Sequence, residues 1–195
     1  MKIEERDGLL WPARDDRFGK NVASYQLAKQ DMALEHVKSR RVCIDVGAHV
    51  GIWSKRLMQL FDEVHAFEPV PQMFSLLQQN VPDAHHYPVG LGNEAGIKFA
   101  NFDDSASGCT KISETGIEVH MQRLDAYNIK NVDFIKLDCE GYELEALKGG
   151  ESTIQQYHPV ILVEQKANKD ALPWLQKRGY KQVGVMAGDY VMVPQ

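Results

Sequence analysis

The sequence predicts an α/β fold: a doubly wound, mostly parallel sheet with helices on both faces and an antiparallel last strand. Three observations carry that expectation. From about residue 41 onward, apolar runs of strand length alternate with amphipathic stretches of helix length. The first run ends in a glycine-containing turn that opens a helix, Asp45-Val46-Gly47-Ala48-His49-Val50-Gly51. The 195 residues are 44% hydrophobic, enough for one core that needs no covalent staples.

Taken in order, residues 1–20 are charged and irregular, with Trp11-Pro12 as their apolar anchor. Residues 22–37 turn helical, with Ala23, Leu27, Met32, Ala33 and Val37 near one face. Residues 1–40 thus read as an N-terminal helical segment of the same domain whose main body is 41–195. Within that body, 41–46 is the first strand and 52–61 a helix. The second strand, 63–68, is stopped by Pro69, which has no N–H for a ladder. A helix over 72–80 and a third strand over 86–90 follow. The stretch 92–127 breaks the rhythm. Its strand-like runs 97–102 and 117–124 surround a polar loop with Ser105, Ser107 and Gly108, so it reads as an antiparallel insertion beside the site. Strand four is 132–137, and its helix, 142–148, is closed by Gly149-Gly150. Strand five is 160–164 and the last helix 171–178. The runs 180–186 and 190–193 form a hairpin around Gly188-Asp189.

A formal net charge of −5 argues against nucleic acid as an obligatory partner, because phosphate contacts need clustered Lys and Arg. The short Lys38-Ser39-Arg40-Arg41 stretch reads as a helix end on a solvated face. Three cysteines without metal-site spacing suggest reduced thiols and a cytoplasmic protein. Neither a leader-like apolar run nor a membrane-length one occurs, so no membrane partner is expected.

Ligands of open α/β sheets bind at the carboxyl ends of the strands, and the informative residues sit there. The first turn departs from the dinucleotide fingerprint G-x-G-x-x-G, since His49 occupies the place of a glycine, and Asp45 precedes it. A pyrophosphate wants bare amides, whereas the cationic amino group of S-adenosylmethionine also accepts a nearby carboxylate. The alternative is a tight strand-to-helix turn with Asp45 as a cap. His49 either touches the cofactor or caps the helix. In Phe67-Glu68-Pro69, an acidic side chain ends strand two about 20 residues beyond Gly47, the spacing at which a carboxylate takes both ribose hydroxyls. Ala48 and Pro69 belong to these turns and Gly90 closes strand three. All three are assigned with them to the cofactor. In Lys136-Leu137-Asp138-Cys139-Glu140-Gly141-Tyr142-Glu143, strand spacing points Asp138 and Glu140 the same way. Glu143 falls in the first turn of a helix, where the dipole favours a negative charge. Glu164, ending strand five, completes an acidic rim. Trp53 and Trp174 read as packing residues, and Cys139 as a small buried side chain rather than a nucleophile.

The order DVGAHVG, FEP, LD (Leu124-Asp125), IKLDCEGYELEALKGG and a glutamate after strand five resembles the FkbM-type methyltransferases over about residues 42–165. The resemblance implies a class I methyltransferase fold and S-adenosylmethionine as methyl donor. It also implies O-methylation of a sugar, natural product or other hydroxylated small molecule. It assigns Asp45, Gly47, Gly51 and Glu68 to the cofactor and puts Asp138 beside the sulfonium. The body 41–195 would then be the S-adenosylmethionine-binding domain.

An alcohol acceptor must lose its proton, so Asp138, Glu140 and Glu164 are expected to border the acceptor and one of them to act as base. No metal is assigned, although a divalent cation on the same carboxylates is the variant chemistry allows. A nicotinamide oxidoreductase lacks its glycine here. A nucleic-acid methyltransferase would carry an Asn-Pro-Pro-Tyr-like or Pro-Cys motif where this chain has Asp138-Cys139-Glu140-Gly141. Protein methylation and a non-catalytic cofactor-binding protein on the same fold are the remaining rivals.

Overall fold

The computed structural model describes residues 1–16, 26–165 and 170–195. The main sheet has seven strands. In chain order these are β3 (Val42–Val46), β4 (Glu63–Phe67), β5 (His85–Tyr87), β10 (Val132–Leu137), β11 (Val160–Glu164), β12 (Tyr180–Met186) and β13 (Asp189–Pro194). They lie in the order β12-β13-β11-β10-β3-β4-β5. Neighbours pair parallel from β11 to β5, while β13 runs antiparallel to both β11 and β12. The predicted antiparallel last strand and terminal hairpin are therefore present.

Successive side chains of the central strands face opposite sides, and each side is covered. Cys43, Phe134 and Leu162 pack with α1 (Leu27–Leu34), α2 (Ile52–Leu57) and α3 (Pro71–Asn80). Ile44, Ile135 and Ile161 pack with α4 (Glu143–Gly149), α5 (Glu151–Tyr157) and α6 (Ala171–Gln176). Both faces are thus apolar, which is why β3 and β11 are buried along their whole length.

The insertion forms a second sheet of four strands in the order β6-β9-β7-β8, from β6 (Gly90–Leu91), β7 (Gly96–Asn101), β8 (Lys111–Ser113) and β9 (Ile117–Gln122). β7 is antiparallel to both β8 and β9, as expected of the insertion.

Several local expectations are corrected. Residues 1–20 are not irregular throughout. β1 (Ile3–Arg6) and β2 (Leu9–Pro12) form an antiparallel hairpin that packs Leu9 and Trp11 against Met73 and Leu76 of α3. Asn80 fixes it, its side chain bonding both the N–H and the carbonyl of Leu10 at 2.7 and 3.0 Å. The helix expected over 22–37 is seen as Leu27–Leu34, and the part of it at 22–25 lies outside the described residues. Residues 38–41 lie beyond that helix and do not cap it. Arg41 instead clamps Asp133 at 2.6 Å. The third strand ends at Tyr87, because Pro88 has no N–H to continue the ladder, and Gly90 crosses to pair with Met121 in the small sheet. Gly149 and Gly150 close α4 as expected, but a further helix, α5, follows at once. They are places of close approach. A Cβ on Gly149 would lie 2.0 Å from the Gly92 carbonyl oxygen. The α5 amides find a cap in Asp125, which accepts from the N–H of Thr153 at 2.9 Å and of Ser152 at 3.1 Å.

Candidate active site

The carboxyl ends of β3, β4, β10 and β11 open into a cavity of about 240 Å³ whose opposite wall comes from the insertion, through Ser107, Ile112 and Met121. Its floor is the turn after β3. Gly47 N–H and Ala48 N–H both donate to the Phe67 carbonyl at 3.0 Å, binding the turn to the end of β4. Asp138 N–H donates to the Val46 carbonyl at 3.2 Å, binding the loop after β10 to the same turn. Gly47 has φ 74°, and a Cβ there would lie 1.9 Å from the Asp138 carbonyl oxygen, so only glycine fits.

Beneath the turn lies a buried charge network. The Lys136 ammonium, with a side chain 4% exposed, sits 3.0 Å from Asp45 Oδ1 and 3.9 Å from Asp138 Oδ2. It also donates to the Gly47 carbonyl at 2.8 Å. Burial pushes its pKa down, but Asp45 and Asp138 outweigh burial and hold it above the ordinary lysine range. Ser54 Oγ donates to the other Asp45 oxygen at 2.7 Å. Asp45 is therefore committed to Lys136 and Ser54, and it shapes the turn from behind rather than lining the cavity. Gly51 is likewise behind the wall, against Val81 and Leu77.

Glu68, Pro69, Gly90, Ala48 and His49 line the cavity as expected. Glu68 Oε2 accepts from the His49 N–H at 2.8 Å and Oε1 from the Val70 N–H at 2.9 Å. Each oxygen keeps a further lone pair for a hydroxyl donor. Burial raises the Glu68 pKa to about 7 against the two backbone bonds that oppose it. His49, at φ 55°, neither caps α2 nor stands alone. Its Nε2 lies 2.7 Å from Ser107 Oγ, which in turn donates to Asp15 Oδ2 at 2.5 Å. With the hydroxyl proton spent on Asp15, the serine oxygen is the acceptor and His49 carries its proton on Nε2. Burial lowers its pKa to about 4, so the ring is neutral. Trp11 meets the same ring edge-on at 5.2 Å.

Asp138, Glu140 and Glu164 come together as expected, each placing a carboxylate oxygen within 4.8 Å of the others. The route differs from the expected strand alternation. β10 stops at Leu137, and left-handed residues Glu140 (φ 51°) and Gly141 (φ 105°) fold the loop back. Glu143 staples that loop, its Oε1 accepting from the Cys139 and Gly141 N–H groups at 3.0 Å. Burial lifts the Cys139 thiol well above its usual range, in keeping with a packing role. Trp53 packs in the core of α1–α3 and also lines the cavity, while Trp174 stacks under the Arg178 guanidinium at 3.5 Å.

Four residues here were not read from the sequence. Lys136 and Ser107 lie in informative segments but carry no local sign of their role. Asp15 carries no local signal at all. Asp189 reads in sequence as a turn residue, yet it pairs in register with Glu164 and forms a buried ion pair with Lys29.

The FkbM methyltransferase domain matches residues 45–181. The chain belongs to that family. This FkbM-domain chain is 28% identical over 163 residues to the hexuronic acid methyltransferase AglP of Haloferax volcanii, a match covering 78% of the chain and 65% of that relative. It thus spans about two thirds of the relative's length. Among solved structures, it is similar to methyltransferase FkbM from Methylobacillus flagellatus, with TM-score 0.54 and 18% identity over 79% of the chain and 43% of that protein. It is also similar to magnesium protoporphyrin IX methyltransferase from Synechocystis, solved with bound SAM. There the TM-score is 0.51 and the identity 13%, over 87% of the chain and 77% of that protein. The sheet order is that of the class I methyltransferase fold.

Proposed function

We propose that this FkbM-domain chain is an S-adenosylmethionine-dependent methyltransferase acting on a hydroxyl of a sugar or comparable small molecule. The observation carrying the proposal is the convergence of the Asp138, Glu140 and Glu164 carboxylates on the cavity floored by the Gly47 turn and flanked by Glu68. The donor set suits the cofactor. The turn 47–49, Glu68, Pro69, Gly90 and Asp138 would hold it, with Glu68 offering lone pairs to two vicinal hydroxyls. When bound, the cofactor supplies an electrophilic methyl group on a sulfonium. The protein's part is then alignment and proton removal. The cavity wall from the insertion orients the acceptor, and one of the three carboxylates accepts its hydroxyl proton. A hard divalent cation on the same three oxygens would lower the pKa of that hydroxyl instead. The AglP likeness favours a uronic acid among acceptors. Three unbridged cysteines are in keeping with a reducing, cytoplasmic compartment. Among the described residues no helix is long and apolar enough to cross a membrane.

The test is calorimetric titration with S-adenosylmethionine, S-adenosylhomocysteine and NAD on the native chain and Glu68→Ala. S-adenosylhomocysteine release with hexuronic acid and neutral sugar acceptors follows, with and without EDTA. Binding of both adenosyl ligands, weakened at least tenfold by Glu68→Ala, is expected. Binding of NAD alone, or of none, defeats the proposal. Cofactor binding without turnover on any hydroxylated acceptor favours the non-catalytic reading.

A further inference from the structure

A second group of ligand-type side chains lies on the main sheet near the start of β4, away from the cleft at the strands' carboxyl ends. Glu63 and His65 are two residues apart on β4 and so project from one face. His85 on β5 pairs directly with His65 in register. The three meet there. His65 Nε2 lies 3.4 Å and His85 Nε2 3.8 Å from the same oxygen, Glu63 Oε2. One ligand atom from each residue falls within 4.8 Å of the others. Ligands about 2.0–2.1 Å from a tetrahedral ion stand about 3.3–3.4 Å apart, so the Glu63–His65 spacing already matches and the Glu63–His85 spacing needs a small closure.

His65 supplies an independent observation. It is 6% exposed, and its Nδ1 lies 2.9 Å from the Tyr87 hydroxyl. Its other nitrogen, Nε2, is buried with no hydrogen-bond partner and is aimed at Glu63. In the tautomer with its proton on Nδ1, directed at the Tyr87 oxygen, His65 presents the Nε2 lone pair, the arrangement a metal-ligating histidine needs.

We infer that Glu63, His65 and His85 form a binding site for a borderline divalent transition metal of the Zn²⁺ type, separate from the carboxylates of the cleft. Two imidazoles and one carboxylate select zinc, cobalt, nickel or copper over magnesium or calcium. The Glu63 and His85 side chains are each 55% exposed, so the ion is reached from solvent and a water completes its shell. The imidazoles of His65 and His85 stack at 4.6 Å, and the exposed His85 turns about its side-chain torsions to bring its lone pair to the shared point. The ion ties the three-residue edge strand β5 to β4. The Tyr87 carbonyl of that strand accepts from the Glu68 N–H at 3.1 Å, so the tie reaches the cleft through the backbone.

The test uses the full chain freed of any purification tag. Co²⁺ serves as the spectroscopic probe and Zn²⁺ as calorimetric ligand, on the native chain and on His85→Ala, Glu63→Gln and Glu140→Gln. His85 and Glu63 are exposed, so folding is preserved and is checked by circular dichroism. Expected are one Zn²⁺ per native chain, visible Co²⁺ bands of nitrogen ligation, and affinity reduced at least tenfold in His85→Ala and Glu63→Gln but unchanged in Glu140→Gln. Zn²⁺ should raise the thermal midpoint of the native chain and not that of His85→Ala. No stoichiometric binding, or binding that survives both substitutions at the β4–β5 site, overturns the inference.

Discussion

Asp15 and Ser107, 92 residues apart in sequence, share a buried 2.5 Å hydrogen bond, with the Ser107 N–H adding a second to the same carboxylate oxygen at 2.8 Å. This contact joins the N-terminal hairpin to the insertion, and Ser107 passes it on to His49 in the turn after β3. Asp15→Ala should therefore act at a distance. It leaves the Ser107 donors without their buried acceptor, at a cost of about 1–3 kcal/mol. Urea unfolding should show that loss, and titration should show weaker cofactor binding. Asp15→Asn, which keeps one acceptor, should lose less of both.

Lys136→Met should be more damaging. It leaves Asp45, which is fully buried, without its cation, and breaking a buried pair costs about 3–5 kcal/mol. Adding Asp45→Asn removes the stranded charge. The double variant should be more stable than Lys136→Met alone, read from the urea midpoint at constant m-value. Equal stability would show that the Asp45 charge is not what makes Lys136→Met costly, and Asp45→Asn alone completes the cycle that gives the coupling.

Glu68 and His49 make opposed pH predictions. Glu68, with a folded-state pKa of about 7 against an ordinary 4.5, stays protonated in the fold while the unfolded chain ionises. Its contribution therefore falls as pH rises between these values, by at most about 1.4 kcal/mol per unit. His49, lowered from 6.5 to about 4, stays neutral in the fold while the unfolded chain is protonated. Its contribution is present above 6.5 and is lost as pH falls toward 4. Between about 4.5 and 6.5 the two slopes cancel in the native chain. Glu68→Gln should expose the His49 slope, with stability rising with pH, and His49→Asn the reverse. Unfolding free energies of both variants at half-unit pH steps decide it.

Gly47→Ala should cost on the order of 3 kcal/mol or more and abolish cofactor binding, since its Cβ meets the Asp138 carbonyl. Gly188, at φ 90° with nothing near its Cβ position, isolates the conformational part of such a change. Gly188→Ala should cost only about 1–2 kcal/mol and leave binding intact. Thermal melts and titration of both variants give the comparison.

The parts of this molecule that were legible in sequence are those whose physics is local. The runs Val42–Val46 and Val160–Glu164 announce strands buried on both faces, and the glycine turn with Glu68 announces a cleft. The Asp138–Glu140–Glu164 meeting was also readable, although a left-handed loop produces it rather than strand alternation. The first hairpin was not, because Ile3–Arg6 lies almost wholly in solvent and shows no alternation of polarity. α5 was hidden behind two glycines whose purpose is close packing. Lys136 is inconspicuous in sequence, since a lysine within a strand ordinarily marks a solvated face. Asp15 and Ser107 acquire meaning only through each other.

The Phe67 carbonyl that takes both the Gly47 and Ala48 amides has one more implication. The cleft floor is held by main chain on main chain, so no side-chain hydrogen bond at 48 or 67 is needed to hold it, and those side chains serve packing alone. Substitutions there that respect volume should be neutral to the turn's shape. Changes in the insertion that faces it can then reshape the cavity without disturbing that floor.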